Sequence, residues 1–142
     1  CAIPTRHDWE SGSLEKGPFD RVLLDAPCSG LGVLRRNPDA KWTVTERGLK
    51  THQAKQERFL DRAAACVRPG GLLVYAVCST EPEETRAVVK SFLKDRPDFA
   101  IDDALPGMPP SLQPLLDRRG RLLALPHRHS TDGFFAVRLR CR

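Results

Sequence analysis

Three side chains in this sequence combine a reactive type with a position that would present it: Asp25, Cys28 and Cys78. Asp25 and Cys28 belong to Arg21-Val22-Leu23-Leu24-Asp25-Ala26-Pro27-Cys28-Ser29-Gly30, a short apolar run that ends in a carboxylate, a proline and a glycine-punctuated loop. Cys78 closes a second run of the same design, Gly71-Leu72-Leu73-Val74-Tyr75-Ala76-Val77-Cys78-Ser79-Thr80. A thiolate is a strong nucleophile, two thiols together also support redox exchange, and a carboxylate can bind a ligand or move a proton. If the two runs are neighbouring parallel strands, both thiols and the carboxylate emerge at one sheet edge. Open parallel sheets bind their ligands in the crevice at that edge.

The elements needed for this placement can be read from the spacing. An apolar run bounded by turn formers fits a strand buried on both faces, the habit of a parallel sheet. Between the two runs, Thr43-x-x-Glu46 is a capping box. The segment to Val67 then repeats apolar residues every three or four positions, with Gln56 on the apolar stripe as a side chain bracing a loop. Arg68-Pro69-Gly70-Gly71 stops that helix. Thr80-Glu81-Pro82-Glu83 opens another, with Thr80 as N-cap, running to about Lys94 and burying Val88, Val89, Phe92 and Leu93. Phe99 to Ile101 reads as a short strand and Pro106 to Pro114 as irregular. Arg121 to Pro126 and Gly133 to Arg140 read as an antiparallel hairpin. Strand, helix, strand, helix and further strands make the carboxyl half of a doubly wound α/β domain, mostly parallel and ending in that hairpin.

A chain of 142 residues suits one domain burying roughly 70% of its unfolded surface. The reading is a single, partial domain over residues 1–142, with residues 1–18 a loop or connection. No apolar run approaches the roughly 20 residues of a membrane span, so the expected compartment is cytoplasmic, with no membrane partner. Five scattered cysteines without C-x-x-C argue against a disulfide framework or a zinc ribbon. His127 and His129 lack a third ligand at suitable spacing, so no metal is expected. The net charge of +5 permits a polyanion, and Arg35, Arg36 and Lys41 with Trp42 offer phosphate contacts beside a stacking face.

The stretches DAPCSG with RRNPDAKW (25–42), the Gln56-x-x-Phe59-Leu60 helix, PGGLLVYAVCSTEPEE (69–84) and TDGFFAVRL (131–139) resemble the Sun/Fmu (RsmB, NOP-type) family of RNA cytosine-5 methyltransferases. The resemblance implies a Rossmann-like methyltransferase sheet, S-adenosylmethionine as cofactor and RNA, ribosomal or transfer, as substrate. It implies that Cys78 attacks carbon 6 of the cytosine. Cys28 then assists release of the covalent product. Asp25 and Pro27 lie against the cofactor, and Asp25 also holds the base at nitrogen 3. The family's glycine-rich cofactor loop has no counterpart in this chain, which therefore reads as the carboxyl-terminal part of the catalytic domain, inactive by itself and open to self-association along an exposed strand edge. Two other classes stay open on the residues alone. One is a catalytically inactive RNA-binding or sheet-completing half-domain; the other is a thiol redox protein.

Overall fold

The computed structural model describes residue 8, residues 17–103 and residues 109–142. Most of the loop expected at 1–18, and the start of the irregular segment expected at 106–114, lie outside them; Pro110–Leu115 within that segment is a 3-10 helix. The elements are β1 (Phe19–Asp25), α1 (Ala40–Thr43), α2 (Glu46–Ala65), β2 (Val67–Val77), α3 (Val88–Asp95), β3 (Phe99–Ile101), β4 (Leu122–Ala124), α4 (Pro126–His129) and β5 (Phe134–Cys141).

The sheet order is β1-β2-β5-β3, with β4 also paired to β5. β1 and β2 are parallel, and β5 runs antiparallel to β2, β3 and β4. Four of the five strands therefore point one way and β5 is set against them, which agrees with the expected α/β sheet and with the hairpin joining β4 to β5. The hairpin's first strand is shorter than its sequence suggests, because Pro126 starts the short helix α4.

Alternation in β2 and β5 builds the core. Leu73, Tyr75 and Val77 pair with Leu139, Val137 and Phe135, and all six are buried. Helix α2 covers this face through Gln56, Phe59, Leu60, Ala63 and Ala64, a stripe with the three-to-four spacing of one helix side. α3 adds Val88, Val89 and Phe92 beside it.

Three local expectations change. Thr45, not Thr43, caps α2, its hydroxyl accepting from Gly48 N–H at 3.1 Å, because residues 40–43 are already wound into α1. Arg68 to Gly71 do not precede β2 but bulge within it. Phe19 pairs with Val67 and Arg21 already with Leu72, and Gly70 takes the positive φ of 75° that the bulge requires. β1 is not buried on both faces: Leu24 is covered by the helical layer, while Leu23 is 69% exposed on the bare face of an edge strand.

Candidate functional site

The parallel register carries Asp25 alongside Ala76, and Ala26 N–H donates to the Ala76 carbonyl at 2.9 Å. Both chains leave the sheet at this level, and the sulfurs of Cys28 and Cys78 come to 3.1 Å. The two thiols expected to emerge together from these strand ends therefore do so.

Backbone hydrogen bonds tie down the loop that follows Cys28. Gly30 turns it with a φ of 72°, and Leu31–Val33 forms a single 3-10 turn. Gly32 N–H donates to the Cys78 carbonyl at 3.0 Å, while Gly133 N–H donates to the Gly32 carbonyl at 2.7 Å. A Cβ on Gly32 would stand 2.1 Å from the Gly133 carbonyl oxygen, so only glycine permits this crossing. The loop from β1, the end of β2 and the start of β5 are joined at one point.

Side chains hold the same loop from beneath. Glu84, fully buried, accepts from Ser29 N–H at 2.8 Å and from the Ser29 hydroxyl on its other oxygen. Gln56, also fully buried, donates to Glu84 at 3.1 Å and to the Pro27 carbonyl at 3.0 Å, which is the bracing role its place on the stripe suggested. Glu84 lies in a π-helical turn, Glu83–Ala87, where Ala87 N–H reaches back to the Pro82 carbonyl. The Tyr75 hydroxyl donates to the Glu84 carbonyl at 2.7 Å and so satisfies backbone that the widened turn displaces.

Burial, then the hydrogen bond to Cys78, pushes the Cys28 thiol up to about 12, with a further contribution from the Glu84 charge. Cys28 therefore keeps its proton at neutral pH and can donate to the Cys78 sulfur, as Cys78 can to it. Thr80 is not the cap expected for the next helix. The helical segment begins later, with the π turn at Glu83 preceded by Pro82 and without a side-chain cap, and fully buried Ser79 accepts from Glu81 N–H at 3.2 Å in the turn that leads there.

Asp25 and Pro27 are exposed, and the Asp25 carboxylate has no protein partner among the described residues. Arg35 and Arg36 are not free cations: both bind Asp132 through their Nε atoms, Arg36 at 2.7 Å, and the Arg35 hydrogen bond leads in holding the Asp132 carboxyl below its usual range. Trp42 is 80% exposed with Lys41 Nζ 5.0 Å above its ring, the geometry of a stacking face rather than a core anchor. A groove lined by Arg86, Lys90, Arg119 and Arg121 over Val89 and Leu93 adjoins a smaller cleft that ends at Thr80 and Phe135. Among the described residues, no three His, Cys, Asp or Glu side chains are placed to hold a metal ion, and no helix is long and apolar enough to cross a membrane.

Ser29, Glu84 and Asp132 were not legible as site residues. Glu84 stands in Glu81-Pro82-Glu83-Glu84, where acidic residues in a first helical turn ordinarily face water. No period separates the buried one from its neighbours.

The family model for the 16S rRNA methyltransferase RsmB/F matches residues 4–140. The chain is 40% identical over 129 residues to the probable ribosomal RNA small subunit methyltransferase B of Bacillus subtilis, covering 90% of this chain and 29% of that protein. It is 43% identical over 121 residues to ribosomal RNA small subunit methyltransferase B of Salmonella paratyphi B, covering 85% of this chain and 26% of that one. The chain thus spans less than a third of the length of these relatives. The crystal structure of PH0851 superposes with a TM-score of 0.72 at 37% identity, over 84% of this chain and 26% of that chain. That of NSun6 from Pyrococcus horikoshii with SFG gives 0.65 at 30% identity, over 84% and 29%.

Proposed function

The chain belongs to the 16S rRNA methyltransferase RsmB/F family, and on that premise we propose that it is part of the catalytic domain of an enzyme that methylates carbon 5 of a cytosine in RNA through a covalent cysteine adduct. The observation that carries this reading is the 3.1 Å approach of the Cys28 and Cys78 sulfurs, beside Asp25, at the carboxyl ends of two parallel strands.

Carbon 5 of cytosine is a poor nucleophile until another nucleophile adds at carbon 6, so the reaction needs a thiolate placed under the ring. Cys78 supplies it and forms the carbon–sulfur bond. Asp25, without a partner among the described residues, holds the base at nitrogen 3 and, as the neutral acid, passes its proton there while electron density moves into the ring, taking it back when the ring electrons return. Exposed Asp25 and Pro27 also fit the methionine end of S-adenosylmethionine, which supplies the methyl group when bound. Loss of the carbon 5 proton to water in the half-open crevice then lets the carbon–sulfur bond break, the electron pair returning to Cys78. Cys28, still a thiol, donates a hydrogen bond to the departing sulfur and so assists release. Trp42 and Lys41 offer a stacking face for an unpaired base. The Arg86–Lys90–Arg119–Arg121 groove adds positive charge for the phosphate backbone. Leu23 on the bare edge strand supports self-association of this chain when isolated.

The test is adduct trapping in the full-length protein. Cys78→Ala abolishes methyl transfer and forms no protein–RNA adduct, Cys28→Ala accumulates an adduct that survives a denaturing gel, and the double variant forms none. An adduct in Cys78→Ala would exchange the two roles. No adduct in either single variant would favour an RNA-binding half-domain that does no chemistry.

A further inference from the structure

We propose that Glu84 is a positioning residue for the release step, holding Cys28 where its thiol meets the departing Cys78 sulfur. The inference rests on the reaction proposed above. A fully buried carboxylate is costly unless it is compensated, yet no ion pair joins Glu84 to a cation among the described residues. Its compensation is three donors from two residues: Ser29 N–H, the Ser29 hydroxyl and the Gln56 amide. Every one of these leads to the Cys28 loop. Ser29 is the next residue in the chain, and Gln56 passes the same grip to the carbonyl of Pro27, the residue before.

The clasp therefore fixes both peptide units that flank Cys28 through side chains, whereas Cys78, which follows directly from a paired strand, is held by backbone alone, its carbonyl accepting from Gly32 N–H. The Tyr75 hydroxyl and the π turn over Glu83–Ala87 hold Glu84 itself from the opposite side. π turns are rare and concentrate at functional sites. A carboxylate here also does what a neutral amide of the same shape would not: its charge adds a smaller push, after burial and the Cys78 hydrogen bond, against ionisation of Cys28. Cys78 and Glu84 are the ionisable groups that act on Cys28, and burial acts in the same direction.

The experiment compares Glu84→Gln and Ser29→Ala with wild type and Cys28→Ala in the full-length protein, using single-turnover reactions with RNA and S-adenosylmethionine. Adduct on a denaturing gel, melting temperature and mass-resolved alkylation of Cys28 by iodoacetamide are read together. The expected result is that Glu84→Gln forms adduct within about threefold of the wild-type rate but resolves it about tenfold more slowly. Ser29→Ala shifts the same way by a smaller factor, and Cys28 in Glu84→Gln alkylates faster than in wild type at pH 9. Should Glu84→Gln fold poorly, Ser29→Ala decides. Variants that slow formation and release alike, or that release normally, would overturn the inference. If Cys28→Ala itself traps no adduct, the underlying reaction fails. If it does trap one while Glu84→Gln and Ser29→Ala release normally, only the role of Glu84 fails.

Discussion

The exits of β1 and β2 are written in nearly the same letters, Cys28-Ser29-Gly30 and Cys78-Ser79-Thr80, and fold into opposite devices. At the β1 exit, Ser29 points away from its own strand and donates to a buried glutamate brought from the π turn. At the β2 exit, Ser79 turns inward and accepts from Glu81 N–H, shaping the start of the next helix. One cysteine is therefore held by tertiary clasps from α2 and the π turn, the other by the strand it ends. The difference lies not in the dipeptide but in what arrives from elsewhere: Glu84 and Gln56 at one, Gly32 and Gly133 around the other.

Chemical reactivity should show the contrast most strongly. With its thiol pushed up to about 12, Cys28 should alkylate at pH 8 roughly three orders of magnitude more slowly than an ordinary exposed cysteine, rising only as pH climbs towards the folded value. Because the folded pKa is raised, the associated stabilisation is complete below the ordinary thiol range and is lost as pH rises through the folded value. Iodoacetamide labelling resolved by mass spectrometry checks this. Rapid modification of Cys28 at pH 8 would remove the distinction between the exits.

A second measurement asks whether backbone joins the two. Gly32→Ala should cost about 1–3 kcal/mol in a denaturant titration, since the new methyl group meets the Gly133 carbonyl and neither backbone can yield. Gly30→Ala should cost only about 1 kcal/mol, because its Cβ makes no more than an ordinary contact with Val33 at 3.8 Å and the penalty is the left-handed φ. Equal costs would mean that the crossing is not what holds the exits together.

Outside the crevice the expected effects shrink. Trp42→Ala should weaken RNA binding by about 1–3 kcal/mol, read by fluorescence anisotropy, if the exposed indole stacks on a base. An unchanged affinity would leave the β1 loop with no contact to substrate. Asp132→Asn should change the melting temperature least. Its folded pKa is lowered, so any difference from wild type is present at neutral pH and closes as pH falls below roughly 4, through the folded value.

Much of the frame was legible because it rests on local pattern. The apolar runs ending at Asp25 and Val77, the stripe through Gln56 and Leu60, and the pairing of β4 with β5 all follow from period and punctuation. The cap of α2 lies two residues on, at Thr45, and the next helical segment has no side-chain cap at all, since several hydroxyls stand together near each helix start and only the geometry of the preceding turn chooses among them. Glu84 could not be found at all: its burial is decided by a π turn and by Ser29, both distant facts. That the arginines at 35 and 36 are paired could not be read locally, because Asp132, their partner, is written near the other end of the chain.

The crossing of Gly32 with Gly133 has a consequence for synthesis. During translation β1, α2 and β2 leave the ribosome well before Gly133, so the loop bearing Cys28 can form its early contacts but cannot be locked against the end of β2 until the final strand has emerged and paired. Contacts so far apart in sequence are slow to form. A nascent or prematurely terminated chain thus carries both thiols without their finished arrangement, and the junction at which they meet is among the last parts of the molecule to be completed.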